Sequence, residues 1–332
     1  MKRILCIISA IFFVFAGHSA GKVDKTEKEI NDARNKKGEL ITCSPGGKVP
    51  GTLTIEEAVK KIKPGMELKI LPGYYNPLDI IAFNQDRIII EGDETGQPVR
   101  RLPLFLNGKD CIVRNITLEE RIEIDDGVIV DTKAYSFTVT SGHRKGRVII
   151  SNCAANKLNF YANEHDITVR NTSIVTGVQV KDEGRVVATR TYANHMISVY
   201  SIINMGKMEK KGKVSFEKCM LFSEGHLFGG DEASMKLVNL SLDDNVIWCN
   251  RSLYRLPPGK SEIKTLEGLA SYFAYGKDGK AILGKPQLKE TPSDTWDWDR
   301  RPGVFMVTSG PGSAREYGCN MSESKTRPIP LE

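Results

Sequence analysis

Lys181, Arg190, Tyr192 and His195 stand together in one polar stretch, residues 176–196. These side-chain types can accept a proton in their neutral forms, and the cationic ones can offset a carboxylate. The combination suits β-elimination, in which a base removes the proton α to a uronate carboxyl while a cation or metal neutralises that carboxyl. The four are the candidate catalytic residues. A second group is aromatic. Trp296 and Trp298, in Trp296-Asp-Trp-Asp-Arg-Arg-Pro302, could stack on sugar rings. His226, beside Glu224 and ahead of Leu227-Phe228, completes the candidate substrate-binding set. The same residue types also make ordinary exposed loops and sealed flanks, so the elements that position them matter.

Other chemistries lack their motifs. A glycan hydrolase of the polygalacturonase type needs paired Asp residues followed by Gly-His-Gly and Arg-Ile-Lys. Asp125-Asp126, Gly142-His143 and Gly225-His226 occur, but neither Gly-His continues and no Arg-Ile-Lys follows. Asp125-Asp126 reads as a solvated turn. No nucleophile elbow is present for a Ser-His-Asp triad. No CxxC and no His/Cys/Asp spacing indicates zinc or iron, so no metal ligand is assigned. Calcium in a carboxylate turn is compatible with the composition, although no EF-hand loop occurs.

The chain has 332 residues, 47 Lys+Arg against 41 Asp+Glu, 40% hydrophobic content and a mean hydropathy of -0.29. That is globular composition and excludes wholesale disorder, collagen and coiled coil. A formal charge of +6 without an arginine-rich run argues against a nucleic-acid partner. Lys2-Arg3, the apolar run Ile4 to Ala16, and the small or polar exit Gly17 to Gly21 read as a secretory signal over residues 1–20. The run is shorter than the roughly 20 residues of a membrane span, so no stable span is expected after its removal. The mature chain keeps Cys43, Cys111, Cys153, Cys219, Cys249 and Cys319, enough for disulfides in an exported protein. Cys249 with Cys319 is the expected bridge, and Cys111 an expected buried thiol.

Residues 21–50 form a charged leader, mobile or helical, and organised structure is expected from Gly51. Thr54 and Glu57 make a capping box for a helix with Ile55, Ala58, Val59 and Ile62 on one face. Pro64-Gly65 ends it. Three segments then repeat: Asn84-Gln-Asp-Arg-Ile-Ile-Ile, Asn107-Gly-Lys-Asp-Cys-Ile-Val-Arg-Asn115 and Asn163-Glu-His-Asp-Ile-Thr-Val-Arg-Asn171. Each is a short strand with a turn residue at its ends. Short strands recurring with uneven insertions predict a β-solenoid, whose coils bury their inward faces only by stacking. Val113, Ile150, Val169, Phe216 and Leu237 are the expected inward column. Asn115, Asn152, Asn171 and Asn239 are the expected turn ladder, with Lys218 breaking it. His165, aligned with Lys109, is expected at an outward turn position.

The stretch from Gly51-Thr-Leu-Thr-Ile-Glu-Glu-Ala-Val to Leu71-Pro-Gly-Tyr-Tyr75 resembles the opening of right-handed parallel β-helix proteins of the pectate-lyase-like superfamily. Ile88-Ile-Ile-Glu-Gly92, Thr265-Leu-Glu-Gly-Leu-Ala-Ser-Tyr-Phe and Gly276-Lys-Asp-Gly279 are similar to later parts of that fold. The resemblance implies an all-β chain: one single-stranded right-handed parallel β-helix over 51–256, an N-terminal capping helix, and an irregular tail over 257–332 whose short helix packs on the solenoid. It implies a secreted or periplasmic monomer that binds or degrades an acidic polysaccharide, with a uronate lyase as the enzymatic form. The alternative is a non-catalytic surface or adhesion protein using the same flank. Fold alone does not choose between them.

Overall fold

The computed structural model describes residues 25–140, 145–161, 164–175, 201–205, 209–223, 225–230, 232–243, 245–255 and 262–269, and the shorter pieces 274–275, 281–284, 287–288 and 307–309. Residues 25–35 are helical and belong to a unit, 1–36, distinct from the body at 37–332. Among the described residues no helix is long and apolar enough to cross a membrane.

The body begins earlier than expected. Leu40–Cys43 pairs in parallel with Glu67–Ile70, so the first strand precedes Gly51. The capping helix follows as predicted, over Ile55–Lys61. Thr54 Oγ1 accepts from Glu57 N at 3.2 Å, and Glu57 Oε2 accepts from Thr54 N at 2.9 Å. Ile55, Ala58 and Ile62 are buried on its inner face.

Among the described residues two long sheets carry the body, one of ten strands and one of fourteen. Every strand pair within them is parallel. The chain visits them alternately: Cys111–Arg114, Gly127–Val130, Arg147–Ser151 and Asp166–Arg170 in the first, with Thr117–Ile124, Lys133–Thr140 and Ala154–Tyr161 between them in the second. This is an all-β architecture of long parallel sheets.

One column of side chains shows why the repeat folds this way. Leu68, Ile90, Val113, Ile129, Ile150, Val169, Phe216 and Leu242 are in register across eight strands. All eight are fully buried. A strand alternates faces, so every second residue enters the interior, and each apolar side chain buried there contributes about 1.5–3 kcal/mol. Leu237 is not in the column. The helix Glu232–Met235 and its turn delay the next strand to Val238–Asp243, and Leu242 takes the place. In the adjacent column Cys111 aligns with Gly127, Val148 and Ile167. Gly127 has φ +139, and a Cβ there would collide with the Cys111 carbonyl.

Five of the turns that leave first-sheet strands share one backbone rule. Asn115, Asp131, Asn152, Asn171 and Lys218 all adopt left-handed backbone, with φ of 46–53°. Asn and Asp tolerate that region better than most residues. Asn171 Nδ2 donates to Asn152 Oδ1 at 3.2 Å, and Asn152 Nδ2 to Asp131 Oδ1 at 2.6 Å. Asp131 thus completes the ladder. Asn239 stands outside it, within the strand opposite Lys213. One residue later Thr132, Cys153, Thr172 and Cys219 each donate to the backbone carbonyl two positions earlier, at 2.8–3.3 Å. Thiol and hydroxyl are interchangeable donors at this corner.

Cys43, Cys111, Cys153, Cys219 and Cys249 are free thiols, the first four buried. The expected Cys249–Cys319 bridge is therefore not formed, and Cys319 lies outside the described residues. Burial pushes the thiols of Cys43, Cys111 and Cys219 up to about 12.

A buried ion cluster sits on the first sheet. Arg114 Nη2 lies 3.0 Å from Glu91 Oε2 and 3.4 Å from Glu67 Oε1. Burial raises the Glu67 carboxyl, and its hydrogen bond with Glu91 raises it further. Burial opposes ionisation of Glu91 as well. Hydrogen bonds from Glu67 and Asn115, with the Arg114 charge, outweigh it and hold Glu91 low. Glu67 therefore takes up a proton ahead of Glu91 as pH falls.

Candidate functional site

Two described strands flank residues 176–200 in the sequence. Ala154–Tyr161 pairs in parallel with two later strands, Ser173–Val175 and Ser201–Met205. Ala154 and Ala155 face Ser173 and Ile174, while Leu158, Asn159 and Phe160 face Ile203, Asn204 and Met205. Ser173–Val175 and Ser201–Met205 are thus neighbours of one strand, with Asn156 and Lys157 between its two paired stretches. Further along the chain, Met220–Ser223 and His226–Gly230 are separated by two residues of sequence. Lys181, Arg190, Tyr192 and His195 lie in 176–200, outside the described residues. Trp296 and Trp298 lie outside them too.

His226 is the one predicted site residue that is described, and it opens the strand His226–Gly230. Ser201, His226 and Ser252 are in register on three adjacent strands. His226 Nδ1 lies 2.7 Å from Ser252 Oγ. Ser252 is buried, and its hydroxyl donates to the Tyr254 carbonyl at 2.8 Å. A hydroxyl has one proton. With that proton committed to Tyr254, Nδ1 must be the donor to Ser252. The imidazole is thereby held as the Nδ1–H tautomer, with its lone pair on Nε2. Below it, Ser223 Oγ donates to the His226 carbonyl at 3.0 Å and accepts from Gly225 N at 3.1 Å, fixing the corner.

The electrostatics keep this ring neutral. Burial lowers the His226 pKa first, and the positive charges of Arg251 and Arg255 lower it further against a smaller opposing effect of Glu262. A neutral histidine near two guanidinium groups combines a base with positive charge. Arg251 immediately precedes Ser252, and Arg255 follows Tyr254, so the same strand that orients the histidine carries both cations.

Around the corner the flank is polar and aromatic. Phe222 and Trp248 face each other in register, with ring centroids 4.4 Å apart. Thr138, Asn159 and Asn204 form a row along the second sheet. Asn159 Nδ2 donates to Thr138 Oγ1 and Asn204 Nδ2 to Asn159 Oδ1, each at 3.2 Å. Burial lowers the Lys157 pKa.

Two other readings change. Asp125-Asp126 is not a solvated turn: Asp126 accepts from Asp110 N at 3.2 Å and Arg147 N at 2.8 Å, tying three coils together. His165 is not outward but buried, with Nε2 at 2.8 Å from the Asp125 carbonyl. Among the described residues no group of three or more His, Cys, Asp or Glu side chains could hold a metal ion.

Three residues were not assigned at the sequence level: Ser252 and Arg251 carry no motif, Arg255-Leu-Pro-Pro lacks the second arginine of an Arg-x-Pro-x-x-Arg motif, and only the strand register brings them to His226. Comparison with family models, with curated proteins and with solved structures returns no match.

Proposed function

We propose that this chain is an exported right-handed parallel β-helix protein of the pectate-lyase-like kind that acts on an acidic polysaccharide outside the cytoplasm, by β-elimination at His226. The parallel register of both sheets supports the fold, and right-handed crossovers are the general rule for parallel strands joined within one sheet. The N-terminal Lys2-Arg3 and the apolar run after it support export. The observation that carries the chemistry is the 2.7 Å contact of His226 Nδ1 with Ser252 Oγ, on a ring whose pKa is lowered by burial and by the charges of Arg251 and Arg255.

In the reaction, the guanidinium groups hold the uronate carboxylate and stabilise the negative charge that develops on it. His226 Nε2 takes the proton from the carbon α to that carboxylate. The electron pair of the C–H bond forms the new carbon–carbon double bond. The bond from the β-carbon to the glycosidic oxygen breaks, and the departing alkoxide takes a proton from water. Lys181, Arg190, Tyr192 and His195 are the further catalytic candidates.

A second reading is binding without turnover. The row Thr138–Asn159–Asn204 and the Phe222–Trp248 pair favour it, because amides and aromatic rings recognise sugars without chemistry. Incubation with polygalacturonate, alginate, hyaluronan and chondroitin, followed by ultraviolet absorbance of the conjugated product, separates the two. A lyase raises the absorbance on at least one polymer. A binding protein retains one of them on an affinity gel and leaves the absorbance flat.

A further inference from the structure

Near the start of the second sheet one connection is longer than its neighbour. Tyr74 is in register with Arg100, and Ala82 with Phe105. The connections between them, 75–81 and 101–104, therefore lie side by side, seven residues against four. The longer one has three residues beyond what the same turn needs. Its ends are pinned: Tyr75 and Ile81 are buried, and the Tyr75 hydroxyl donates to the Leu71 carbonyl at 2.7 Å. Its middle is not. Leu78 is 90% exposed and Ile80 76%. Side chains so exposed add nothing to the core. With Tyr74, 60% exposed, they make an apolar cluster on one loop, where single scattered residues would need no explanation.

Two exposed charges accompany the cluster. Arg101, on the neighbouring connection, adopts left-handed backbone at φ 56 and holds its guanidinium carbon 5.9 Å from the centre of the Tyr74 ring. Asp79 stands between Leu78 and Ile80. Neither makes an ion pair among the described residues. The other charges at this place are matched: Arg100 with Glu119 at 2.9 Å, and Arg121 with Glu123 at 3.3 Å. The loop thus offers two aliphatic side chains, one cation and one anion. A zwitterionic phospholipid surface offers the complement, with acyl chains beneath a headgroup of one phosphate and one ammonium. A protein partner fits less well, because a standard interface takes roughly 20–30 residues a side, and the exposed apolar set is Tyr74, Leu78 and Ile80.

We infer that the loop 75–81 docks the protein on a zwitterionic phospholipid surface. Leu78 and Ile80 enter the boundary between headgroups and acyl chains, where apolar side chains gain most from leaving water. Tyr74 sits at headgroup level, as amphipathic rings do at membrane interfaces. Arg101 faces the phosphate and Asp79 the ammonium. Because Tyr75 and Ile81 hold both ends of the loop, little chain freedom is lost on insertion. Two aliphatic side chains give a shallow, reversible attachment and no span. The inference is independent of any chemistry at His226.

The test uses the full chain and phosphatidylcholine vesicles carrying a trace of phosphatidylcholine with a diazirine on its acyl chain. Lipid adducts formed on illumination are mapped by mass spectrometry, so contacts made by the apolar run Ile4 to Ala16 are read separately. Adducts are expected within 74–81. In the double variant Leu78→Ser, Ile80→Ser they should fall at least about tenfold, since two aliphatic side chains no longer leave water. Its melting temperature should match wild type, because both positions are exposed. Asp79→Asn should shift the preference from phosphatidylcholine towards phosphatidylglycerol vesicles about fivefold, the effect of one charge near a membrane surface. An absence of adducts within 74–81, or an equal yield from the double variant, overturns the inference. So does a lipid-free dimer in sedimentation velocity that the double variant dissolves, which would give this surface to a second copy of the chain.

Discussion

His226 Nδ1 and Ser252 Oγ lie 2.7 Å apart, although 26 residues separate them in the chain. Their strands are neighbours only because the coil between them closes at that length. Ser252 spends its own proton on Tyr254, so the contact dictates which nitrogen of His226 is free. Ser252→Ala should release that choice. We expect kcat to fall severalfold with KM little changed, because Ser252 positions the base and does not touch substrate. Loss of the buried hydroxyl should also cost about 1 kcal/mol of stability, read in a denaturant melt.

The pH profile should carry the same signature. Elimination needs neutral His226, and its pKa lies below the ordinary 6.5. The acid limb of kcat/KM is therefore expected below pH 6.5. Arg251→Gln and Arg255→Gln remove the charges that depress it and should move the limb upward. Stability follows the same sign. Below pH 6.5 the unfolded chain binds more protons at this site than the folded one, so stability falls as pH drops. An acid limb unmoved in both variants would show that the cations do not act on this ring.

The Arg114 cluster makes the opposite prediction on alkaline exposure. Glu67 has a raised pKa, so the folded state binds a proton there that the unfolded state releases. Its contribution is full below the unfolded value near 4.5 and is lost as pH rises through the folded value. Glu67→Gln keeps the donor to Glu91 without the titration. Its melting temperature should match wild type in acid and exceed it at neutral and higher pH. Arg114→Met should cost about 3–5 kcal/mol, because it strands the Glu91 carboxylate.

The turn ladder and corner predict two contrasting substitutions. Asn171→Ala removes the hydrogen bond to Asn152 and the tolerance for left-handed backbone, and should cost about 1–2 kcal/mol. Cys153→Thr should cost less than about 1.5 kcal/mol, since Thr132 and Thr172 already hold that corner with a hydroxyl. Thermal melts of both variants check the ranking. Val169→Asp should fail to fold, because it buries an unmatched charge in the stacked column.

Legibility followed the kind of physics involved. The column Val113, Ile150, Val169 and Phe216 was readable because alternation has a strict period of two. The capping helix was readable because Thr54 and Glu57 are a local signal. Leu237 misled because a helical turn, Glu232–Met235, shifts the strand without changing its composition. His165 misled because its burial depends on Asp125, 40 residues earlier. Asp131 escaped the ladder because an aspartate there replaces the repeated asparagine. At the site, the type of His226 was visible, but its orientation was not. Ser252, Arg251 and Arg255 reach it only through the register of uneven coils, which no local pattern encodes.

The most direct test is turnover of His226→Ala on whichever acidic polymer the wild type cleaves fastest, with melting temperatures measured in parallel. Removal of a general base is expected to lower kcat by about 10²–10⁴-fold while the melting temperature stays within about 2 °C. A well-folded His226→Ala protein that produces the unsaturated product at the wild-type rate would contradict the assignment of His226 as the base.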